Sequence, residues 1–368
     1  MLRAGLMLLL AASFVGVVGA EEARWPSWAH FRNTLISDDG RVIDHSDSRH
    51  ITTSEGQGYA LFFALVADDR DTFQQLLDWT QNNLAKGDLG ASLPAWLWGG
   101  DADEGWGVLD ANSAADADLW LAYTLLEAGR LWQRRDYRVL GTRLAARIID
   151  EEVATLPGFG PVLLPGRSGF AGDGQWRVNP SYLPPQLFAR LSELGPPWPE
   201  LAARVPRLLI GTAPLGLAPD WAAWQANEGW RPDPEHGSQG DYDAIRVYLW
   251  LGMLADEAAD REALLAHFAP MRELIAKLGA PPEYVDTNSG AHQGLGNSGF
   301  SAAMLPFLAA TPGGDAALAV TQRRRLAAAP PADDAYYAQI LTLFGRGWDE
   351  GRYRFAADGR LQPAWRSP

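Results

Sequence analysis

The strongest constraint on the fold is an alternation in the character of the helical segments. Apolar periodicity of about 3.6 residues recurs in about twelve stretches, at 27–36, 56–68, 70–84, 115–132, 136–152, 182–193, 197–212, 242–256, 259–278, 299–311, 314–328 and 334–346. Those at 56–68, 115–132, 242–256 and 299–311 are apolar nearly all round, as in Ile245 to Leu251 and Phe300 to Leu308, which predicts burial on every side. The stretches at 70–84 and 136–152 are one-sided. Phe73, Leu76, Leu77 and Leu84 share a face in the first; Leu140, Leu144 and Ile148 do so in the second, with Arg143 and Arg147 turned away.

The connections alternate as well. A few residues follow the second, fourth and sixth stretches, whereas roughly 18 to 30 precede the second, fourth, sixth, eighth and tenth. Short links make antiparallel hairpins, and long loops are uncommon in compact domains unless they carry function. Six hairpins closed in a ring would put the apolar helices inside and every long loop at one end. The predicted fold is therefore all-α, an (α/α)6 barrel with one decorated face. Minor ribbons are expected between Gly158 and Asn179, where Gly, Pro and short apolar runs alternate. Pro184 and Pro185 suit a first helical turn, and Pro306 should kink the tenth helix.

Residues 1–20 carry Arg3, an apolar run from Leu6 to Val18 and a Val18-Gly-Ala20 cleavage pattern, which predicts a secretory signal peptide and a periplasmic or secreted mature chain. No later stretch approaches the roughly 18 uninterrupted apolar residues of a membrane span. No linker composition divides the remainder, so residues 21–368 are expected to form a single catalytic domain. The chain has no cysteine, which excludes disulfides and thiolate chemistry. A net charge of −14 argues against nucleic acid or an anionic polysaccharide as partner. Sixteen tryptophans, among them Trp96, Trp98, Trp106, Trp176, Trp221, Trp224 and Trp230 in polar loops, suit a neutral sugar polymer, because a flat ring with an N–H donor stacks on the C–H face of a pyranose.

On this topology the acids gather. Glu55, in Thr52-Thr-Ser-Glu55-Gly-Gln-Gly-Tyr59, opens the second helix, with Ser54 and Gln57 in the form of a capping box. Asp116 and Asp118 open the fourth helix, and Asp241 and Asp243 the eighth. Acids in first turns ordinarily complement exposed N–H groups, but three such sets round one axis repel one another unless a site uses them. Glycosidic cleavage needs an acid to protonate the leaving oxygen and a carboxylate to activate water or attack carbon. The six histidines form no zinc motif, and no nucleophile elbow, P-loop or dinucleotide fingerprint is present, so no metal or cofactor is expected.

The segment from Ala114 through Asp116 and Asp118 to Trp132, together with Ile51 to Gln57 and Tyr242-Asp-Ala-Ile-Arg246, resembles glycoside hydrolase family 8 over essentially the whole mature chain. Leu93 to Trp98, Asn179 to Pro185 and Gly299 to Phe307 are similar to the family's periplasmic endoglucanases encoded with bacterial cellulose synthase. The resemblance implies an (α/α)6 barrel, inversion, β-1,4-glucan as substrate and the cellulose synthase complex as a partner. By matching motif it implies Glu55 as general acid and Asp243 as base. Asp116 would hold the sugar between them, or act as nucleophile. Tyr242 and Arg246 would flank the base, and Trp96, Trp176 and Tyr182 would contact substrate. Ala115, Leu121 and Thr124 depart from the usual signature choices by small or apolar swaps. Two other classes stay open on the residues alone: a catalytically weak glucan-binding component of an export complex, and a polysaccharide lyase on the same barrel. One tension accompanies Glu55. A helix N-terminus lowers a carboxyl pKa, so Asp116 and a water-poor groove must outweigh it if Glu55 is to donate a proton.

Overall fold

A computed structural model describes residues 25–101, 105–310 and 315–366; the signal-peptide stretch 1–20 lies outside the described residues. Thirteen α-helices are present among them: α1 Pro26–Leu35, α2 Ser54–Ala67, α3 Arg70–Asn83, α4 Ala115–Leu131, α5 Arg135–Glu152, α6 Pro185–Leu191, α7 Trp198–Thr212, α8 Ile245–Gly252, α9 Arg261–His267, α10 Ala269–Leu278, α11 Ser298–Ala310, α12 Ala316–Ala328 and α13 Tyr336–Asp349. Helices α2, α4, α6, α8, α11 and α13 form the inner ring of an (α/α)6 barrel, each packed on the next. Their outer partners are α3, α5, α7, α9 with α10, and α12, while α1 packs on α13 and so pairs the two ends of the chain.

The four all-round apolar segments are inner helices, as their composition dictates, and α6 and α13 complete the ring. Phe62, Trp120, Trp250 and Phe344, from α2, α4, α8 and α13, are buried and meet at ring-centroid distances of 4.9 Å (Phe62–Trp120), 5.2 Å (Trp120–Phe344) and 5.1 Å (Trp250–Phe344). Each such ring contributes on the order of 1.5–3 kcal/mol by leaving water, so this aromatic plug is a major reason the ring stays closed. Backbones also touch. A Cβ on Gly252 would stand 2.1 Å from the Phe307 amide nitrogen, and one on Gly345 would stand 1.9 Å from the Ala302 carbonyl oxygen.

Several boundaries differ from expectation, for local reasons. The segment 259–278 is broken into α9 and α10 at Phe268, because Pro270 has no N–H and fits only a first turn. Residues 182–193 hold only α6, preceded by a 3-10 turn at Pro180–Tyr182; Leu183 stands before Pro184 and is kept from helical backbone. Helix α8 begins at Ile245 rather than at 242, leaving Asp241 and Asp243 in the turn before it. Helix α11 runs through Pro306 without ending there, and Gly345 lies against the carbonyl of Ala302 that this proline deprives of its usual donor.

The strands are short, and most lie in the long loops. β1 Thr52–Thr53 pairs with β2 Leu97–Asp101, which pairs with β3 Gly105–Asp110. β4 Val153–Leu156 and β5 Gly160–Leu163 form a ribbon, and β6 Ala171–Gly172, β7 Gln175–Val178, β8 Ala222–Gln225 and β9 Gly229–Pro232 form a four-stranded sheet. β10 Gln239–Gly240 leads into the Asp241–Ala244 turn. The loop before α2 is thus tied to the tryptophan-bearing hairpin, and the loop before α8 to the sheet face.

Candidate active site

Glu55 is placed by the cap of α2. Thr53, held extended by pairing with Leu97, is the N-cap, and its hydroxyl accepts from the Gly56 amide at 3.1 Å. The expected capping box of Ser54 and Gln57 does not form. Ser54 is inside the helix, and Gln57 instead binds the 40–42 segment, accepting from the Val42 amide at 2.7 Å and donating to the Gly40 carbonyl at 3.1 Å. Gly58 allows α4 to come close, since a Cβ there would be 3.2 Å from the Ala117 carbonyl oxygen. That approach brings Asp116, in the first turn of α4, beside the Glu55 end of α2.

One arginine organises the centre. Arg246, buried in the first turn of α8, donates through Nη1 to Tyr59 Oη at 2.9 Å and to Asp116 Oδ2 at 3.3 Å. Through Nη2 it donates to Ser181 Oγ at 2.9 Å and to Asp243 Oδ1 at 2.5 Å. Tyr59 Oη passes its own hydrogen to Asp116 Oδ2 at 2.9 Å, and Asn179 Nδ2 donates to Asp243 Oδ2 at 2.9 Å. The rings of Tyr182 and Tyr337 flank the guanidinium, 5.5 and 5.9 Å from its central carbon.

Three carboxyl groups therefore surround one cation, and their donors are shared unequally. Asp116 and Asp243 both receive Arg246. Glu55 keeps partial contact with solvent, but its Oε2 is sealed and has no hydrogen-bond partner. Burial, then the charge of Asp116, push the Glu55 carboxyl up to about 8, against the opposing pull of its own backbone amide and of Arg246. Burial also raises Asp116, but Arg246 and Tyr59 hold it back. Desolvation and the like charge of Asp116 thus outweigh the helix N-terminus at Glu55.

The other candidates are distributed around this centre. Trp96 is half-buried, its backbone carbonyl accepts from the Ser54 amide at 3.0 Å, and its indole donates to the Asp110 carboxylate. Tyr242 stands exposed beside Asp243, with its hydroxyl donating to Glu283 Oε1 at 2.9 Å and its carbonyl accepting from Tyr337 Oη at 2.5 Å. Trp176 lies in β7 opposite Trp224, half-buried against the core and outside the hydrogen bonds around Arg246. Asp118 turns away from the centre to the buried Glu152, which accepts from Ser113 Oγ at 2.5 Å. Two buried carboxyls in contact require a shared proton, and Asp118 is accordingly raised by burial and by Glu152.

Sequence reasoning missed Tyr59, Asn179, Ser181 and Tyr337. Tyr59 had a signal, since it lies one helical turn beyond Glu55 and so on the same face. Asn179 and Ser181 reach the centre from a long loop, and only the closed ring brings them there. From Tyr182 an aromatic strip continues to Trp221, at 6.3 Å, whose ring stacks on Phe170 at 5.8 Å and His236 at 5.5 Å.

An (α/α)6 barrel whose loop end gathers carboxyl groups round Arg246 beside aromatic rings has the parts that glycosidic cleavage needs. The sequence model of glycosyl hydrolases family 8 matches residues 3–351. An endoglucanase of Escherichia coli (strain K12) is 50% identical over 364 residues, covering 99% of this chain and 97% of that protein. An endoglucanase of Xanthomonas axonopodis pv. citri is 48% identical, covering 99% and 95%. The crystal structure of an endo-1,4-D-glucanase from Vibrio fischeri superposes with a TM-score of 0.89 at 44% identity, covering 93% of this chain and all of that one. The chain belongs to glycosyl hydrolases family 8.

Proposed function

We infer that this chain, an endoglucanase of family 8, cuts internal β-1,4-glucosidic bonds with inversion at the anomeric carbon. Glu55 is the general acid, Asp243 the general base and Asp116 the group that holds the sugar between them. One observation carries this reading: Arg246 donates to both Asp116 and Asp243, while Glu55 Oε2 is sealed without a donor. A carboxyl kept neutral can give its proton to the glycosidic oxygen as the C–O bond breaks, and a carboxylate fixed by Arg246 and Asn179 can take a proton from the attacking water. The water's oxygen then bonds to carbon, and the proton lost by Glu55 is restored from solvent.

Trp96, Tyr182, Trp176 and Tyr242 are the proposed contacts to the glucan, by stacking or by polar edges. The substrate is neutral β-1,4-glucan, in keeping with the relatives being endoglucanases and with the acidic balance of this chain. We further propose that residues 21–368 act as a single catalytic domain in the periplasm on glucan delivered by a cellulose synthase complex. Among the described residues no helix is long and apolar enough to cross a membrane. The direct test is hydrolysis of soluble substituted cellulose, with xylan, chitosan and mixed-linkage glucan beside it, by wild type, Glu55→Gln and Asp243→Asn. Wild type should release reducing ends from the β-1,4-glucans. Each folded amide variant should lose about 10² to 10⁴ in rate, and near wild-type turnover in either removes that residue from the mechanism. Fractionation of cells and co-purification with the synthase test the location and the partner.

A further inference from the structure

Asp220 is a buried carboxyl that the chemistry above does not use. It ends the loop before β8 and is 4% exposed. Its Oδ1 accepts from the backbone amides of Asp241 at 2.9 Å and Ala244 at 2.7 Å, and its own amide donates to the Gln239 carbonyl at 2.8 Å. The two bonded amides bracket Asp243. Helix α8 has no side-chain cap from its own N-cap residue, Ala244, so the acceptor at this helix start comes from a different loop.

The two loops are locked together at a second level. The Ala218 amide donates to Tyr248 Oη, on α8, at 2.9 Å, and a Cβ on Gly240 would lie 2.3 Å from the Ala218 carbonyl oxygen, so only glycine permits the approach. The ionisable groups facing Asp220 are Asp241, Asp243, Tyr248 and Tyr337. Asp241 is near enough for a carboxyl–carboxyl hydrogen bond. Burial and this contact push Asp220 up to about 9, which favours the protonated carboxyl, with a carbonyl acceptor for the two amides and an O–H for Asp241.

We propose that Asp220 is a positioning residue for the hydrolytic base: by clamping the Asp241–Ala244 turn it fixes where the Asp243 carboxylate stands relative to Arg246 and to the attacking water. The proposal rests on the reading of Asp243 as base. A clamp of this kind acts on the chemical step, because a displacement of about 1 Å at a reacting group can lower a rate about a hundredfold.

The experiment compares kcat, KM and oligosaccharide affinity for Asp220→Ala and Asp220→Asn, with melting temperature as a check on folding. Asp220→Ala should lose about a hundredfold in kcat with KM and affinity close to wild type. Asp220→Asn should keep most of kcat and the wild-type pH profile, since the amide offers the same acceptor and donor as a protonated carboxyl. In an Asp243→Asn background, Asp220→Ala should cause no further loss. Wild-type kcat in folded Asp220→Ala, an Asp220→Asn variant as impaired as Asp220→Ala, or losses that add in the double variant would each overturn the proposal. Should Asp220→Ala not fold, Asp220→Ser, with a shorter acceptor, takes its place under the same criteria. Full turnover in Asp243→Asn alone would instead remove the base assignment, which separates the two failures.

Discussion

Arg246, in the first turn of α8, and Asp243, in the turn before it, are three residues apart, with Nη2 of the first donating to Oδ1 of the second at 2.5 Å. The same guanidinium reaches Asp116 on α4 and Tyr59 on α2, so one side chain binds three inner helices at the loop end of the barrel. Its planar fork can serve both carboxylates at once, which a lysine ammonium at the same place cannot do with the same geometry.

Arg246→Leu should therefore be damaging twice over. Removing one partner of a buried ion pair leaves uncompensated charge and costs about 3–5 kcal/mol, and the freed Asp243 loses its orientation. Arg246→Lys should recover part of the stability and little of the rate. Denaturant unfolding and kcat on cello-oligosaccharides check both. A stable, active Arg246→Leu variant would show that the cation is dispensable.

The Glu55 carboxyl stands near 8, well above the usual carboxylate range. A proton donor with that value is lost as pH rises through it, so activity should fall on the alkaline side around pH 8. The charge of Asp116 is part of the cause, and Asp116→Asn should move this limb to lower pH. Stability follows the same linkage. Between the unfolded value near 4.5 and the folded value near 8, the native state holds a proton that the unfolded chain does not, so stability declines as pH rises through that window. Glu55→Gln should thus melt above wild type at pH 8, with the gap closing towards pH 4.5. A gap independent of pH would mean that Glu55 is not the proton holder.

Trp96→Ala should weaken binding of cello-oligosaccharides by roughly 1 to 3 kcal/mol while the melting temperature changes little. Calorimetry in a Glu55→Gln background measures the affinity without turnover. A large fall in melting temperature with unaltered affinity would make Trp96 a packing residue for the hairpin that carries it.

How far these features could be read in advance depended on the range of the interactions. The ring of hairpins was legible because all-round apolar stretches such as 115–132 and one-sided ones such as 136–152 differ in composition over many residues. Glu55 and Asp116 were legible because each sits in the first turn of an inner helix, and Arg246 through the resemblance carried by Tyr242-Asp-Ala-Ile-Arg246. Features set by distant chain were not. The cap of α2 fell to Thr53 rather than Ser54 because Leu97 pairs with Thr53. The start of α8 falls past Asp243, where the amides of Asp241 and Ala244 turn to a carboxyl in another loop, Asp220. Asn179 meets Asp243 only across the closed barrel.

The central claim is that Asp243 activates water rather than attacking carbon. A water between base and sugar requires carboxyl groups roughly 6.5 to 9.5 Å apart, against about 5 to 5.5 Å for a nucleophile. Glu55 and Asp243 arise from α2 and from the turn before α8, which are not neighbours in the ring, and Asp116 on α4 shares the Arg246 side chain with Asp243. NMR of the first product formed from cellopentaose reads the outcome directly. The account predicts the α-anomer before mutarotation; an initial β-anomer would mean retention and would transfer the nucleophile role to another carboxylate, such as Asp116.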